Sequence, residues 1–359
     1  MALSFLTGFP GFIGRRLAAK LLDADPEERI VAIVEERMLD AARSAAEEID
    51  AERIELVTGD IGEPGLGLSD SDRDRLVGEM RRAYHLAAIY DLAVPLEIAQ
   101  RVNVDGTGNV LELCAAAESL ERFQYVSTAY VAGKRNGIVY EHELVFGQDF
   151  KNHYESTKFQ AEVWARQYLD RVPMTILRPA IVVGDSQTGE TQKFDGPYFI
   201  LRTIAEMEKR GRPVVQFGRS DAPFNVVPVD YVVDAIAATA TDVAAEGATL
   251  HLTDPEPLTA ADLTTALSRE YCGREPRGRI PPGMVAQSLR SKLVRDRFGG
   301  APRESIFYLN HPVMFDTRQA VRILEPHGLR PPNFGDYVGA MVSFFRENAD
   351  DPALVPKGS

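Results

Sequence analysis

The segment Thr7-Gly8-Phe9-Pro10-Gly11-Phe12-Ile13-Gly14 joins the first predicted strand, residues 2–6, to the first predicted helix, residues 13–22. Glycines at positions 8, 11 and 14 allow a tight turn, close approach of the backbone to a pyrophosphate, and close packing of the helix on the strand. The start of the helix then offers free N–H groups and the positive end of its dipole to an anion. All eight residues are therefore candidate cofactor-binding residues, with a structural glycine-rich turn as the alternative.

Strands and helices alternate along the first 240 residues. Further strands are predicted over 29–34, 54–58, 82–86, 123–127 and 174–177, and further helices over 39–49, 104–119 and 156–169. This alternation predicts an α/β fold, a Rossmann-type doubly wound parallel sheet.

The pattern loosens after residue 185, where Gly and Pro interrupt it and two helices are predicted, over 260–271 and 284–294. We therefore expect a smaller C-terminal substrate lobe. The predicted division gives an NAD(P)-binding domain over 1–185 with parts of 225–255, and a substrate-binding lobe over 186–224 and 256–350. Residues 351–359 are predicted to be a tail, either native or a linker, and are left out of the fold prediction.

Composition excludes several function classes. The 359 residues carry 40 basic and 53 acidic side chains, a net charge of −13, so a nucleic-acid partner is not expected. Two cysteines and six scattered histidines without a ligand-type spacing predict neither a disulfide framework nor a metal site. With no apolar run long enough to span a bilayer and no signal peptide, a cytoplasmic location is expected.

The motif Tyr154-Glu155-Ser156-Thr157-Lys158 carries the predicted chemistry. Residues four apart lie on one face of a helix, which would bring the ammonium of Lys158 beside the phenol of Tyr154. Such a cation is expected to lower the pKa of the tyrosine, which can then exchange a proton with a carbonyl or alcohol oxygen. The predicted strand end 26 positions upstream of Tyr154 should supply a hydroxyl that hydrogen-bonds the substrate oxygen.

The end of the second strand leaves the choice of cofactor open. A carboxylate at Glu35 can bind both ribose hydroxyls of NAD and repel a 2′-phosphate. Arg37 could instead bind that phosphate, with help from Arg15 and Arg16. A solvated charge cluster is the third interpretation.

The glycine spacing and three further segments resemble the short-chain dehydrogenase/reductase superfamily, in its extended branch. Gly59-Asp60-Ile61 is similar to the segment whose acid holds the adenine ring, although Asp60 could also cap a strand end. His85-Leu86-Ala87-Ala88 resembles the strand end beside the cofactor. Asn103-Val104-Asp105-Gly106-Thr107 resembles the start of the central helix, where the Asn supports the active site. The resemblance favours Thr128 as the catalytic hydroxyl, with Ser127 second, and implies that Lys158 also binds the nicotinamide ribose.

A narrower resemblance, over about residues 2–345, is to thioester-reductase-like and fatty acyl-CoA reductase-like enzymes. It rests on Val126-Ser127-Thr128-Ala129-Tyr130-Val131, Leu177-Arg178-Pro179-Ala180-Ile181, Asp195-Gly196-Pro197-Tyr198, Asn225-Val226-Val227-Pro228 and Asn310-His311-Pro312-Val313. It implies reduction of a fatty acyl-CoA or carrier-bound thioester to an aldehyde, or of the derived aldehyde, with an acyl carrier protein as one conceivable partner. Pro179 and Ile181 would line the nicotinamide. NADP(H) is the usual cofactor, but Glu35 stands where these enzymes usually carry an arginine, so NAD(H) stays open.

Two other functions compete with this one. The same Tyr–Lys pair serves nucleotide-sugar or small alcohol and ketone dehydrogenases and epimerases, and a cofactor-binding regulator without turnover is a third class. Residues 274–303, with eight basic and two acidic side chains and an apolar stripe, could hold the phosphates of a thioester or touch a membrane surface. They could equally form an amphipathic core helix. Acyl length, reaction direction and oligomeric state stay open.

Overall fold

A computed structural model of the chain describes residues 2–90, 94–217, 221–280, 287 and 308–355. The strands it contains there are β1 (Ala2–Thr7), β2 (Glu28–Val34), β3 (Ile54–Thr58), β4 (Met80–His85), β5 (Arg122–Val126), β6 (Gly137–Val139), β7 (Met174–Pro179), β8 (Ile181–Val183), β9 (Gln216–Phe217), β10 (Val226–Pro228), β11 (Thr249–Leu252), β12 (Arg279–Ile280) and β13 (Val313–Phe315). The helices are α1 (Phe12–Ala24), α2 (Leu39–Ile49), α3 (Asp70–Glu79), α4 (Leu96–Ala99), α5 (Gly106–Ala116), α6 (His153–Gln167), α7 (Tyr198–Lys209), α8 (Val229–Thr239), α9 (Ala260–Cys272), α10 (Arg318–Leu324) and α11 (Phe334–Asn348).

Seven parallel strands form the central sheet, in the order β3-β2-β1-β4-β5-β7-β11. Strand order reverses between β1 and β4, which is where a doubly wound sheet opens a crevice at its carboxyl edge. The predicted Rossmann-type parallel sheet is confirmed. It places the glycine segment after β1 and residues 86–88 after β4 at the two sides of that crevice.

Helices cover both faces of the sheet, so its central strands are buried on both sides. All five residues of β5 and all six of β7 are buried. One apolar cluster joins Leu17 of α1 to Ile236 of α8, and the other joins Leu111 of α5 to Ala161 of α6. Burial on both faces therefore extends to the polar residues of these two strands, Arg122 and Gln124 of β5 and Thr175 and Arg178 of β7.

A third apolar cluster lies outside the sheet, where Leu201 of α7, Leu263 of α9 and Tyr337 of α11 pack together. Not every C-terminal element belongs to it, because Ile323 of α10 packs in the cluster that contains α1 and α8. The domain boundaries given above stay a prediction.

The predicted tail is in part packed structure. The carbonyl of Leu354 accepts a hydrogen bond from the backbone N–H of Phe194 at 2.7 Å, and its side chain lies against the third cluster. Leu354, within the predicted tail, therefore contacts the folded part of the chain.

Two predicted features fall largely outside the described residues. They are the helix over 284–294 and most of the basic segment 274–303; of that segment the structure describes 274–280 and 287. Among the helices that it does describe, none combines the length and the apolarity needed to cross a membrane.

Candidate active site

The glycine segment forms a tight turn that leaves no room for a side chain at Gly8 or Gly14. Gly8 has a φ of +85°, and a Cβ placed there would lie 2.9 Å from the backbone nitrogen of Ala87. A Cβ at Gly14 would lie 2.5 Å from the carbonyl oxygen of Gly8. Helix α1 begins after Gly11 with no side-chain cap and no acidic residue in its first turn. The turn therefore fits a pyrophosphate, because α1 presents it with an uncapped, electropositive end.

A chain of buried hydrogen bonds runs from this turn towards the central helix. The hydroxyl of Thr7 accepts the N–H groups of Leu86 and Ala87, so its proton points to Nδ1 of His85, at 2.8 Å. Nε2 of His85 then donates to the hydroxyl of Thr107, at 3.0 Å, and Thr107 donates to the carbonyl of Asn103. Burial, with a smaller effect of Lys158, lowers the pKa of His85 to about 3, so the imidazole is neutral.

Asn103 continues this connection to the helix that carries the YxxxK motif. It lies in a π-helical segment, Gln100–Asp105, that links α4 to α5. Its side-chain oxygen accepts the N–H of Ile89 at 2.8 Å, and its amide donates to the hydroxyl of Thr157 at 3.1 Å. Thr157 in turn donates to the carbonyls of His153 and Tyr154.

The two hydroxyls at the end of β5 have different partners. Ser127 donates to the carboxylate of Glu162 at 2.7 Å. Thr128 accepts the N–H of Tyr130 at 3.3 Å and makes a long contact, 3.4 Å, with the carbonyl of Pro179; its interaction with the phenol of Tyr154 lowers the pKa of that tyrosine, by less than burial raises it. The geometry therefore brings Thr128, and not Ser127, to Tyr154.

The expected lowering of the Tyr154 pKa is wrong. Burial raises the pKa of Tyr154 above its usual value, against the small opposing effect of Thr128. Lys158 does not offset this, because its ammonium donates to the carbonyl of Val126 at 2.9 Å and lies 4.7 Å from the ring centre of Tyr125. Tyr154 is thus a protonated phenol, the form that a proton donor needs.

Lys158 is itself almost completely buried, with 2% of its surface exposed. Burial lowers its pKa to about 8, and the carboxylate of Glu162 opposes that shift. The ammonium is therefore charged at neutral pH but close to its titration point.

Glu35 and Arg37, the alternative cofactor determinants, are paired with each other at 2.5 Å. This hydrogen bond raises the pKa of Arg37. Arg15 pairs with Glu48, and Arg16 with Glu190, so neither cation is free of a carboxylate partner. The structure thus pairs with each other the two side chains that would compete for the ribose of the cofactor.

The remaining predicted cofactor residues lie at or after the carboxyl ends of the sheet strands, with Ile181 in the short strand that follows β7. Asp60 follows β3 and binds Arg101 at 2.6 Å and the N–H of Gly62 at 2.8 Å, so part of its hydrogen-bonding capacity is taken. Ile61 is buried against α5. Ala87 and Ala88 follow β4, whereas Pro179 ends β7 and Ile181 begins β8; of these four only Pro179 is fully buried.

Sequence reasoning missed the acidic and basic groups behind the site. Glu162 and Arg178 are both completely buried and form an ion pair at 2.6 Å. Glu162 lies four residues after Lys158, the same spacing that separates Lys158 from Tyr154, and this extended pattern was the available signal. Over the parts of the chain that the structure describes, no three His, Cys, Asp or Glu side chains are grouped as metal ligands would be.

Comparisons with known proteins identify the family of this chain. A family model described as Male sterility protein, of NAD-binding type, matches residues 6–236. The large subunit of L-2-aminoadipate reductase from Penicillium chrysogenum is 30% identical over 267 residues, 66% of this chain and 18% of that protein. Fatty acyl-CoA reductase wat from Drosophila melanogaster is 26% identical over 283 residues, 67% of this chain and 54% of that protein.

Among solved structures, the terminal R domain of the myxalamid PKS-NRPS pathway superposes with a TM-score of 0.83 and 26% identity. The match covers 98% of this chain and 92% of that domain. This chain therefore matches most of that R domain, but it spans about half or less of the length of the two curated relatives.

Proposed function

The chain belongs to the Male sterility protein family, a thioester-reductase-like group of extended short-chain dehydrogenases/reductases, and on that premise we propose that it reduces acyl thioesters with NAD(P)H. The proposed substrate is an acyl group on CoA or on a carrier protein, and the first product is the aldehyde. The observation that carries the proposal is the placement of the Tyr154 phenol, at the start of α6, beside the hydroxyl of Thr128 at the carboxyl edge of the sheet.

The residues that would hold the cofactor are those of the glycine turn, with Asp60 on the adenine side and Lys158 on the ribose side. Gly8, Gly11 and Gly14 support this assignment because a Cβ at any of them would meet the backbone at 2.9 Å or less. A bound nicotinamide supplies the hydride that reduces the carbonyl carbon.

The side chains of this chain act on the oxygen of the same carbonyl. As negative charge develops on that oxygen, the hydroxyl of Thr128 and the phenol of Tyr154 donate hydrogen bonds to it. Tyr154 then transfers its proton, which gives a hemithioacetal. Loss of the thiol breaks the C–S bond and leaves the aldehyde, so one hydride and one proton are consumed per thioester.

For the cofactor we propose tolerance of both NADH and NADPH. The 2′-phosphate of NADPH would compete with Glu35 for Arg37, whereas the ribose hydroxyls of NADH would bind Glu35 itself. Because the pair is exposed, neither interaction should dominate.

The test is a Tyr154→Phe variant assayed with acyl-CoAs, carrier-bound acyl groups, fatty aldehydes and nucleotide sugars, with trapping of any aldehyde formed. We expect wild type to oxidise NAD(P)H with a thioester. The variant should lose ~10²-fold or more in kcat, the usual effect of removing a general acid, with cofactor Kd nearly unchanged.

Tyr168→Phe is the matched control, because Tyr168 follows the other end of α6. It should behave as wild type. Turnover of Tyr154→Phe within about threefold of wild type would refute the role of the tyrosine. Turnover with nucleotide sugars and not with thioesters would refute the substrate class.

A further inference from the structure

We propose that the buried ion pair Glu162–Arg178 is a positioning device, which sets Thr128 and Lys158 at fixed places relative to each other for the reaction. The inference rests on the proposed function, because it takes Thr128 and Lys158 as catalytic. Neither member of the pair belongs to the YxxxK motif or to the cofactor turn.

The carboxylate of Glu162 has every oxygen lone pair engaged. One oxygen accepts Ser127 at 2.7 Å and Nε of Arg178 at 3.0 Å. The other accepts the second nitrogen of the Arg178 fork at 2.6 Å and Nε of Arg166 at 3.1 Å. Burial alone would raise the pKa of Glu162, but the two arginines hold it below its usual value, so the group is a carboxylate.

Arg178 is equally saturated. Beyond its two bonds to Glu162, its terminal nitrogens donate to the carbonyls of Glu141 and Glu143 at 3.3 and 2.8 Å. A fifth hydrogen bond, 3.1 Å, reaches Nε2 of His251. His251 accepts there because its Nδ1 donates to the carbonyl of Asp316, and burial lowers its pKa to about 3. All five guanidinium donors therefore have acceptors.

The pair sits directly behind the reacting groups. Ser127 precedes Thr128 at the end of β5, Glu162 lies one helical turn after Lys158 on α6, and Arg178 precedes Pro179 at the end of β7. A planar guanidinium held at five points fixes the directions of its neighbours as well as their distances. The network thus joins the three elements that carry Thr128, Lys158 and the proposed nicotinamide wall.

Stability alone does not explain such a network. A buried ion pair pays a large desolvation cost, and well-packed apolar residues at the same place are often at least as stable. The ion pair also has an electrostatic effect on the site, because the negative charge of Glu162 favours the ammonium form of Lys158.

Other groups around Lys158 and Glu162 do not take over this role. The imidazole of His85 on β4 and that of His251 on β11 are both neutral. The other charged and titratable groups that interact with the two residues are Tyr125 on β5, Arg166 on α6 and Arg178 on β7. The carboxylate of Glu162 is the anion that opposes the lowering of the Lys158 pKa, whereas Glu155, three residues before Lys158 on α6, is paired with Lys151 at 3.1 Å.

The test compares Glu162→Gln with Glu28→Gln. Glu28 is also buried, and it forms an ion pair with Arg82 at 2.6 Å. It begins β2 and therefore lies at the amino ends of the parallel strands, away from the carboxyl edge that carries the site. Both changes keep the side-chain shape and remove one buried charge. We expect both to lower the melting temperature, so the readouts are kcat, and kcat/KM against pH, at a temperature where circular dichroism shows both variants folded.

For Glu162→Gln we expect kcat to fall on the order of 10- to 100-fold, the scale of a misplaced reacting group. The alkaline limb of the profile should move to lower pH by about one unit, because Lys158 loses its proton earlier without a nearby anion. Glu28→Gln should keep both the kcat and the profile of wild type.

If Glu162→Gln loses stability but keeps the wild-type kcat and alkaline limb, the pair is structural and the inference is overturned. Tyr154→Phe, assayed alongside, separates this failure from that of the proposed function. If Tyr154→Phe is inactive while Glu162→Gln matches Glu28→Gln, only the positioning role fails; if Tyr154→Phe stays active, the catalytic assignment itself fails.

Discussion

Ser127 and Thr128 are adjacent residues with the same functional group, a hydroxyl, but their hydroxyls have different partners. Ser127 is committed to the carboxylate of Glu162, whereas Thr128 meets Tyr154. The family resemblance ranked Thr128 first, and the hydrogen bonds give a physical reason for that order.

Substituting each hydroxyl in turn should therefore have different effects. Thr128→Val keeps the shape but removes a donor to the developing oxyanion, and kcat should fall on the order of 10²-fold. Ser127→Ala leaves a buried carboxylate with one donor fewer and should cost about 1–3 kcal/mol of unfolding free energy. Its kcat should fall far less. Steady-state kinetics and thermal melts on both variants check this, and a larger kcat loss in Ser127→Ala would reverse the assignment.

Glu35 and Arg37 offer a second comparison between single residues. Glu35→Gln releases Arg37 from its partner and should lower the KM for NADPH, while Arg37→Gln should raise it. Each change should be about fivefold at most, because exposed ion pairs contribute about 1 kcal/mol or less. The ratio of kcat/KM for NADPH to that for NADH is the measurement. If it stays unaltered in both variants, these side chains do not face the ribose.

At the scale of elements, the connection from β1 to α1 depends on backbone packing. The nearest atom to a Cβ at Gly14 would be a carbonyl oxygen of the turn itself, which cannot rotate away. Gly78, near the end of α3, is exposed and has open space at the same position.

Gly14→Ala should thus cost about 1–3 kcal/mol, typical of overpacking, and should weaken NADPH binding. Gly78→Ala should be neutral or stabilise the protein by about 0.5–1 kcal/mol, because alanine favours a helix, and should bind NADPH as wild type does. Titration calorimetry and thermal melts distinguish the two. Equal NADPH affinity in both variants would mean that the turn does not contact the cofactor.

Elements governed by local pattern could be predicted well. Helix α2 and strand β3 have the predicted bounds, 39–49 and 54–58, because apolar spacing and flanking turns define them. The helix predicted over 104–119 instead begins after a π-helical segment that holds Asn103 between Ile89 and Thr157. Contacts with residues so distant in sequence do not change the local apolar spacing from which the helix was predicted.

At the scale of the whole molecule, the features that could not be predicted from the sequence depend on contacts between residues far apart in the chain. The two strands of the β6–β13 pair lie more than 170 residues apart, and Arg178 is buried although charged residues usually lie at the surface. The groups that surround Tyr154 also come from other parts of the chain, Tyr90 and Thr128 among them, which is why its raised pKa was not anticipated. Motif spacing selected the proposed reacting residues, but their protonation depends on the folded surroundings.

The most direct test of thioester reduction follows a labelled hydride. Wild type is incubated with an acyl-CoA and NADPH deuterated at the transferable C4 position, and the trapped aldehyde is analysed by mass spectrometry. We predict one deuterium at the aldehyde carbon with wild type, and a rate lower by ~10²-fold or more with Tyr154→Phe. If the folded, NADPH-binding protein gives no labelled aldehyde from any acyl-CoA or carrier-bound thioester, the proposed reaction is wrong.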